Sequence, residues 1–544
     1  MSLGVADSRN GEDLKSNCTA AKLVADMFAT SYGPPGMYKV VISEDGQYYL
    51  TKNADSISKD VSTVHPVVRL LVEAAKSVKS ATGDGFISTV VFAGYLIARA
   101  WRLIQEGVSR EVISRGYHLA STKAGQLISE NSILVSPDNR DDLTAVAKSF
   151  LATKLQPSFA DTLAHMLVDA LLGTGRRTEH GTHFDRELVK VEARWGGSLK
   201  DTILVGGVAL HKRRADRLMP SRIENARIAL IQQGLSIKKP DMFTKVVLGE
   251  TFGLADMYKC RWAFLEEAER QILETGANVV ICASDLAEEL RRLLASHGVL
   301  AVRNVSVDDM KIITNATGGS IVASPTELTS QKLGYCDLVE ERIVAALDRW
   351  LFFEGCYNKG VRTILIRGPT EKVVDEVKRV SKHCLKMLET LLSEGEVVPG
   401  GGVIEVRVAD TLKKWSLSLA QNEQYVVSAF ADELERLPAL LGENAGRDPL
   451  TLLGELRRMN RFGVYGFDAT KDMIIDPLEE RLLDPAFVKK QYIKTAAEVA
   501  ISIIRVDRNL VQKLKVAKKS PIPEAVRTLR RQSHLTSRIG GRRC

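Results

Sequence analysis

Apolar residues recur at helical spacing between residues 13 and 31, where Leu14, Ala21, Val24, Ala25 and Phe28 share a face. Tyr32-Gly33-Pro34-Pro35-Gly36 stops that helix, because Gly accepts left-handed backbone and Pro cannot extend a helix. Short strands are expected at residues 40–42 and 48–51, with Asp45-Gly46 as the turn between them. From residue 64 to about residue 128 the period is helical again, broken at His65-Pro66, at the loop around Gly83 and at Gly107. Residues 140–180 continue as helices through Leu151, Leu155, Leu163, Leu167 and Leu171.

The rhythm changes near Leu188. Val189-Lys190-Val191-Glu192 alternates as a strand does, and further strands are expected at 202–210 and 228–231. Helix and strand then take turns over 264–274, 279–282, 286–296, 299–302 and 307–314, which predicts an α/β domain. From Thr370 onward the chain is again mostly helical. The order helical, α/β, helical describes one domain inserted into another. No internal repeat or low-complexity tract interrupts it.

Two glycine clusters frame the insertion. Gly83-Asp84-Gly85 stands where a loop turns into an apolar helix, and Val397-Val398-Pro399-Gly400-Gly401-Gly402 stands at the start of another. Glycines let backbone N–H groups approach a phosphate closely, and a helix N-terminus favours its negative charge. An adjacent Asp can hold the Mg²⁺ that accompanies a nucleotide. A split nucleotide site, assembled from both ends of the chain, follows from the pair.

Composition narrows the class. With 544 residues the chain exceeds one ordinary core, and 45% apolar with 26% charged residues is usual for a soluble protein. No apolar run of membrane-spanning length and no signal peptide is read, and the seven cysteines lack a CxxC pair. These features point to a cytoplasmic protein with reduced thiols and no membrane partner. The net charge of +8 is concentrated in residues 513–544, where ten Lys and Arg oppose only Glu524. That tail reads as a disordered, solvated terminus rather than a nucleic-acid contact.

The motifs in sequence order resemble those of a group II chaperonin, and specifically a subunit of the eukaryotic cytosolic ring chaperonin, TRiC/CCT. They include Tyr32-Gly33-Pro34-Pro35-Gly36-Met37, His65-Pro66, Gly83-Asp84-Gly85, Met219-Pro220-Ser221-Arg222-Ile223-Glu224-Asn225-Ala226 and Thr275-Gly276-Ala277-Asn278. Thr317-Gly318-Gly319, Val398-Pro399-Gly400-Gly401-Gly402, Asn444-Ala445-Gly446, Asp484-Pro485 and Val488-Lys489-Lys490-Gln491 continue the series, so the resemblance covers residues 14 to 510. Leu50-Thr51-Lys52, Leu151-Ala152-Thr153-Lys154, Ala160-Asp161-Thr162-Leu163 and Arg367-Gly368-Pro369 look most like the zeta subunit. Residues 274–280 also suit theta, and Phe352-Phe353-Glu354-Gly355-Cys356 suits eta.

The resemblance implies a multidomain α+β and α/β subunit. A helical equatorial domain would take residues 1–143 and 399–512, with 513–544 as its basic tail. A small intermediate domain would take 144–208 and 363–398. An α/β apical domain would span 209–362, with a helical protrusion near 236–268. The implied partners are other chaperonin subunits in a hetero-oligomeric double ring, and non-native proteins folded at the expense of ATP. Met242, Phe243, Val246, Val247, Leu248, Phe252 and Leu254 would give the protrusion an apolar binding surface rimmed by Lys238, Lys239, Lys245 and Lys259.

By the same resemblance ATP or ADP would be held by Gly33, Pro34, Gly83, Asp84, Gly85, Ser88, Lys154, Gly400, Gly401, Gly402, Gly466 and Asp484, with Asp84 on Mg²⁺. Two acidic positions of the family depart here: Asn53 follows Thr51-Lys52 where an Asp is expected, and His383 replaces a second Asp. The two threonines that normally follow Gly-Asp-Gly are Phe86 and Ile87, which would set a bulky ring at the pocket. Asn53 cannot serve as a carboxylate base, and loss of a positioned base lowers a rate by ~10²–10⁴. Nucleotide binding with little or no hydrolysis is therefore expected. Asp84 has a plainer reading too, as an N-cap of the helix that follows. A fully active ATPase subunit, or a chaperonin-like assembly factor outside the folding ring, are the alternatives.

Overall fold

The computed structural model describes residues 12–42, 48–52, 65–179, 181–235, 254–345 and 348–506. Asn53, the Asp45-Gly46 turn, the protrusion segment 236–253 and the basic tail lie outside the described residues. Residues 17–505 make one unit; residues 1–16 with 506–544 make another, of which 12–16 and 506 are described.

Three layers of structure follow one another within residues 17–505. The first is helical. The helices Phe86–Gln105, Arg110–Glu130, Gln421–Asn444 and Ala486–Ile504 share a core in which Phe92 meets Phe430 edge-on at 5.2 Å and Tyr117 meets Phe430 at 5.7 Å. Close approach needs glycine here: a Cβ on Gly94 would sit 2.4 Å from that of Ala25. By length and composition the Phe86–Gln105 helix is apolar enough to cross a membrane, unlike the sequence expectation. Its Val90, Val91, Phe92, Leu96 and Ile97 are instead fully buried in this core.

The second layer joins the helices Arg140–Ala152, Pro157–Leu172 and Glu371–Glu394 to a three-stranded sheet of Val189–Trp195, Arg362–Gly368 and Ile203–Val205. Leu151, Leu163, Leu167, Val377 and Leu388 meet Val191 and Ile364 there in one apolar cluster. The helical run expected to reach residue 180 ends earlier. Gly173 closes the helix, and Arg176–Thr178 pairs with Gly181–His183 as a hairpin.

The third layer is a seven-stranded mixed sheet. Arg222–Ile231, Val279–Cys282 and Leu300–Val302 run parallel, as βα alternation predicts, with the helices Leu254–Glu274 and Glu288–Ser296 between them. Gly334–Ala345 and Asp348–Cys356 extend the sheet antiparallel, and Gly207–Leu210 closes it. Alternation sorts the side chains: Ile228, Leu230, Val279 and Ile281 face one core, Ala229, Ile231, Val280 and Cys282 the other.

Candidate functional site

The two glycine clusters meet. Gly33, Pro34, Asp84, Gly85, Ser88, Gly401, Gly402 and Asp484 all line one cavity of about 580 Å³, where the helical layer meets the helices Arg140–Ala152 and Pro157–Leu172 of the second. The backbone explains the glycines: Gly33, Gly85, Gly401 and Gly402 have φ of +78°, +86°, +66° and +82°, in the left-handed region that other residues avoid. Gly85 and Gly402 are the N-caps of the helices Phe86–Gln105 and Val403–Ser416, and neither end has a side-chain cap. Each helix start therefore offers backbone N–H donors to the cavity. Asp84 does not cap the helix; its own N–H donates to Thr82 Oγ1 at 3.3 Å.

Three of the glycines support the site from behind. A Cβ on Gly83 would lie 2.6 Å from the His383 carbonyl, and one on Gly466 2.6 Å from that of Gly400. Gly400 donates its N–H to Leu482 O at 2.8 Å. These residues shape the loops and do not line the cavity. His383 does not line it either; the Glu371–Glu394 helix sets its main chain against Gly83.

Lys154 lies on a small adjoining cavity of about 90 Å³, beside Lys52, Asp84 and Ile87. Its ammonium reaches Asp84 Oδ1 at 3.2 Å and sits over the Phe150 ring. Lys52, the neighbour of Asn53, donates to the Pro34 carbonyl at 2.9 Å, so the start of that segment is tied to the same place. Phe86 lines this small cavity and not the large one: it is 3% exposed and packs on Phe28 at 5.6 Å.

Sequence reasoning missed the floor of the cavity. Lys489 donates to Glu405 Oε1 at 2.7 Å and pairs with Asp484 Oδ2 at 2.9 Å, while the Tyr492 hydroxyl donates to Glu405 at 3.0 Å. Glu405 is 2% exposed, and its Oε2 has no partner among the described residues. Burial alone would lower the Lys489 ammonium, but the Asp484 and Glu405 carboxylates outweigh it and hold it well above its ordinary range. Burial pushes the Tyr32 hydroxyl, bonded to Ser88, well up, so it stays neutral. The wall is a row of paired charges, with Lys148 on Asp161 at 2.7 Å and Arg481 on Asp141 at 2.8 Å. The signals in the sequence were Asp484 within Asp484-Pro485 and Lys489 within Val488-Lys489-Lys490-Gln491; Glu405 and Tyr492 gave none.

Known proteins resemble the chain along most of its length. The TCP-1/cpn60 chaperonin family matches residues 24–513. A thermosome subunit of Methanopyrus kandleri is 36% identical over 502 residues, covering 91% of each chain. The thermosome subunit alpha of Archaeoglobus fulgidus is 34% identical over 513 residues, covering 94% of each. The chain belongs to the TCP-1/cpn60 chaperonin family.

The chaperonin site suits a magnesium nucleotide on its own geometry. Two helix starts without side-chain caps face one cavity, and phosphate oxygens are acceptors for such donors. Among the described residues no group of three His, Cys, Asp or Glu could hold a metal alone. A single carboxylate plus phosphate oxygens is how Mg²⁺ is commonly held, and Asp84 is a half-exposed carboxylate in that place.

Proposed function

We propose that this chain is a subunit of a hetero-oligomeric double-ring chaperonin of the cytosol that assists ATP-dependent protein folding, and that it hydrolyses ATP slowly or not at all. The observation that carries the reading is the single cavity built from both ends of the chain, with uncapped helix starts and Asp84 at its edge. Relatives named as thermosome subunits alpha and beta in one organism support a mixed ring. The quoted stretches around Leu50, Leu151 and Arg367 favour a place in the eukaryotic ring, closest to zeta.

In this reading N–H groups at Gly85, Gly402 and the helix starts beyond them receive phosphate oxygens. Asp84 holds Mg²⁺ while Lys154, already at its side, senses the terminal phosphate. Asp484, fixed by Lys489, contacts the nucleoside end. Mg-ATP would supply binding free energy here, and its hydrolysis in neighbouring subunits the net drive of the ring. By the resemblance, Asn53 and His383 take the sequence positions of family acids that would orient water, and neither side chain reproduces a carboxylate's attraction for it. Neighbouring subunits then contribute most of the turnover.

The test is ATP turnover in the purified assembly, with and without Asp84→Ala in this subunit, alongside bound nucleotide measured per chain. Unchanged turnover supports slow hydrolysis here. A fall by a full subunit's share shows an active ATPase and overturns that part.

A further inference from the structure

A second cavity, of about 1150 Å³, opens beside the seven-stranded sheet, far from the glycine clusters in sequence. It is lined by the loop of residues 211–217 together with Arg291, Arg303 and Arg349, which three separate elements contribute. Seven Lys and Arg side chains face three carboxylates, those of Asp216, Glu341 and Asp348.

The carboxylates are already engaged. Glu341, its side chain 1% exposed, accepts the Arg214 N–H at 3.1 Å and pairs with Arg349 at 2.9 Å. Asp348 holds Arg194 and lies 3.1 Å from His211 Nε2. Asp216 accepts the N–H of Leu218 at 3.0 Å within its own turn. The loop is pinned further: Ala215 donates to Ala301 O at 2.7 Å, and Arg291 Nη1 donates to Ala215 O at 3.3 Å.

What remains is cationic and preorganised. Lys212 is felt by the Asp309 carboxylate, while Arg213 and Arg217 are exposed. Arg291 Nε is buried with no partner. Buried donors are normally satisfied, so an orphan at the wall of a polar cavity points to a missing acceptor. One carboxylate is satisfied by one bidentate guanidinium, whereas several cations converging on one hollow suit groups with three oxygens each.

We propose that this cavity binds a small, multiply phosphorylated anion. Lys212, Arg213 and Arg217 take its outward phosphates and Arg291 an inner one, while Glu341 keeps the loop in place. The reading does not depend on the chain acting in a folding ring.

Tripolyphosphate, titrated calorimetrically into the full chain without Mg²⁺, is the probe. Arg213→Ala with Arg217→Ala should weaken binding about tenfold or more, as expected for losing charge-assisted hydrogen bonds. Lys154→Ala, beside the glycine clusters, should leave it unchanged, and added salt should weaken it. Both arginines are exposed, so the cores stay intact; Arg217→Glu gives a second, harsher variant. Binding that survives both variants overturns the proposal. So does binding that is lost instead with Lys154→Ala, which would place the anion beside the glycine clusters. A single-stranded oligonucleotide or a polyglutamate peptide bound more tightly than tripolyphosphate overturns the small-ligand class.

Discussion

The helical layer and the seven-stranded sheet each carry a large cavity lined by charge, and they treat that charge in opposite ways. In the helical layer the charges close on each other: Lys489 lies between Glu405 and Asp484. Beside the sheet, Glu341 draws Arg214 and Arg349 together and leaves Arg213 and Arg217 outward. Removing one partner from a sealed network strands a buried charge, whereas removing an outward cation costs the fold little. The difference teaches that the first site is built into the stability of its layer and the second is carried on top of its own.

The largest effect is expected at the sealed floor. Lys489→Met leaves Glu405 and Asp484 without their counter-charge, and stability of the helical layer should fall by about 3–5 kcal/mol in urea or thermal unfolding. An effect under about 1 kcal/mol would show that the floor is open to water and the contrast false.

Next is the joint between the second and third layers. Lys190, its side chain 7% exposed, pairs with Asp309 at 2.6 Å and donates to Ala209 O at 3.1 Å. Lys190→Met should cost about 2–3 kcal/mol, read by hydrogen exchange in the Val307–Thr317 helix. Burial of the Asp309 carboxyl acts to raise it, but the Lys190 hydrogen bond and charge outweigh this and hold it below its ordinary 3.8. The folded state thus binds this proton less readily than the unfolded chain. The stabilisation is present above about pH 4 and is lost as pH falls through the lowered value. Lys190→Met should flatten that acid-side slope.

A smaller change follows from Asp84→Ala. Mg²⁺-dependent ADP affinity should drop about tenfold, equivalent to roughly 1.4 kcal/mol, with unfolding unchanged because the carboxylate is half exposed. An altered melting temperature with unaltered affinity would make Asp84 a structural residue. Least of all, Phe462→Ser should move stability by no more than about 0.5 kcal/mol, since that ring is 87% exposed.

Much of this could be read from residue order alone. The left-handed glycines at 33, 83, 85, 401 and 402 announced turns at helix ends, and Asp84 stood between Gly83 and Gly85. The alternation of 279–302 appears as parallel strands and helices because apolar runs of that length bury both faces of a sheet. The floor was not legible. Glu405 and Lys489 are separated by 84 positions on two helices, and no local pattern connects them. The basic cavity was hidden differently: Lys212-Arg213-Arg214 reads as a solvated run until Arg291, Arg303 and Arg349 arrive from other elements. Where the ring of Phe86 lodges was not legible either, because the direction of a side chain at a helix start depends on Phe28, a contact across 58 positions.

The most direct measurement is the native assembly of the tagged protein, gently purified from its own cell, with co-purifying chains identified by mass spectrometry and particles imaged. The account predicts a double ring that contains other chaperonin-family chains. A monomer, or a small complex with unrelated partners, would contradict it.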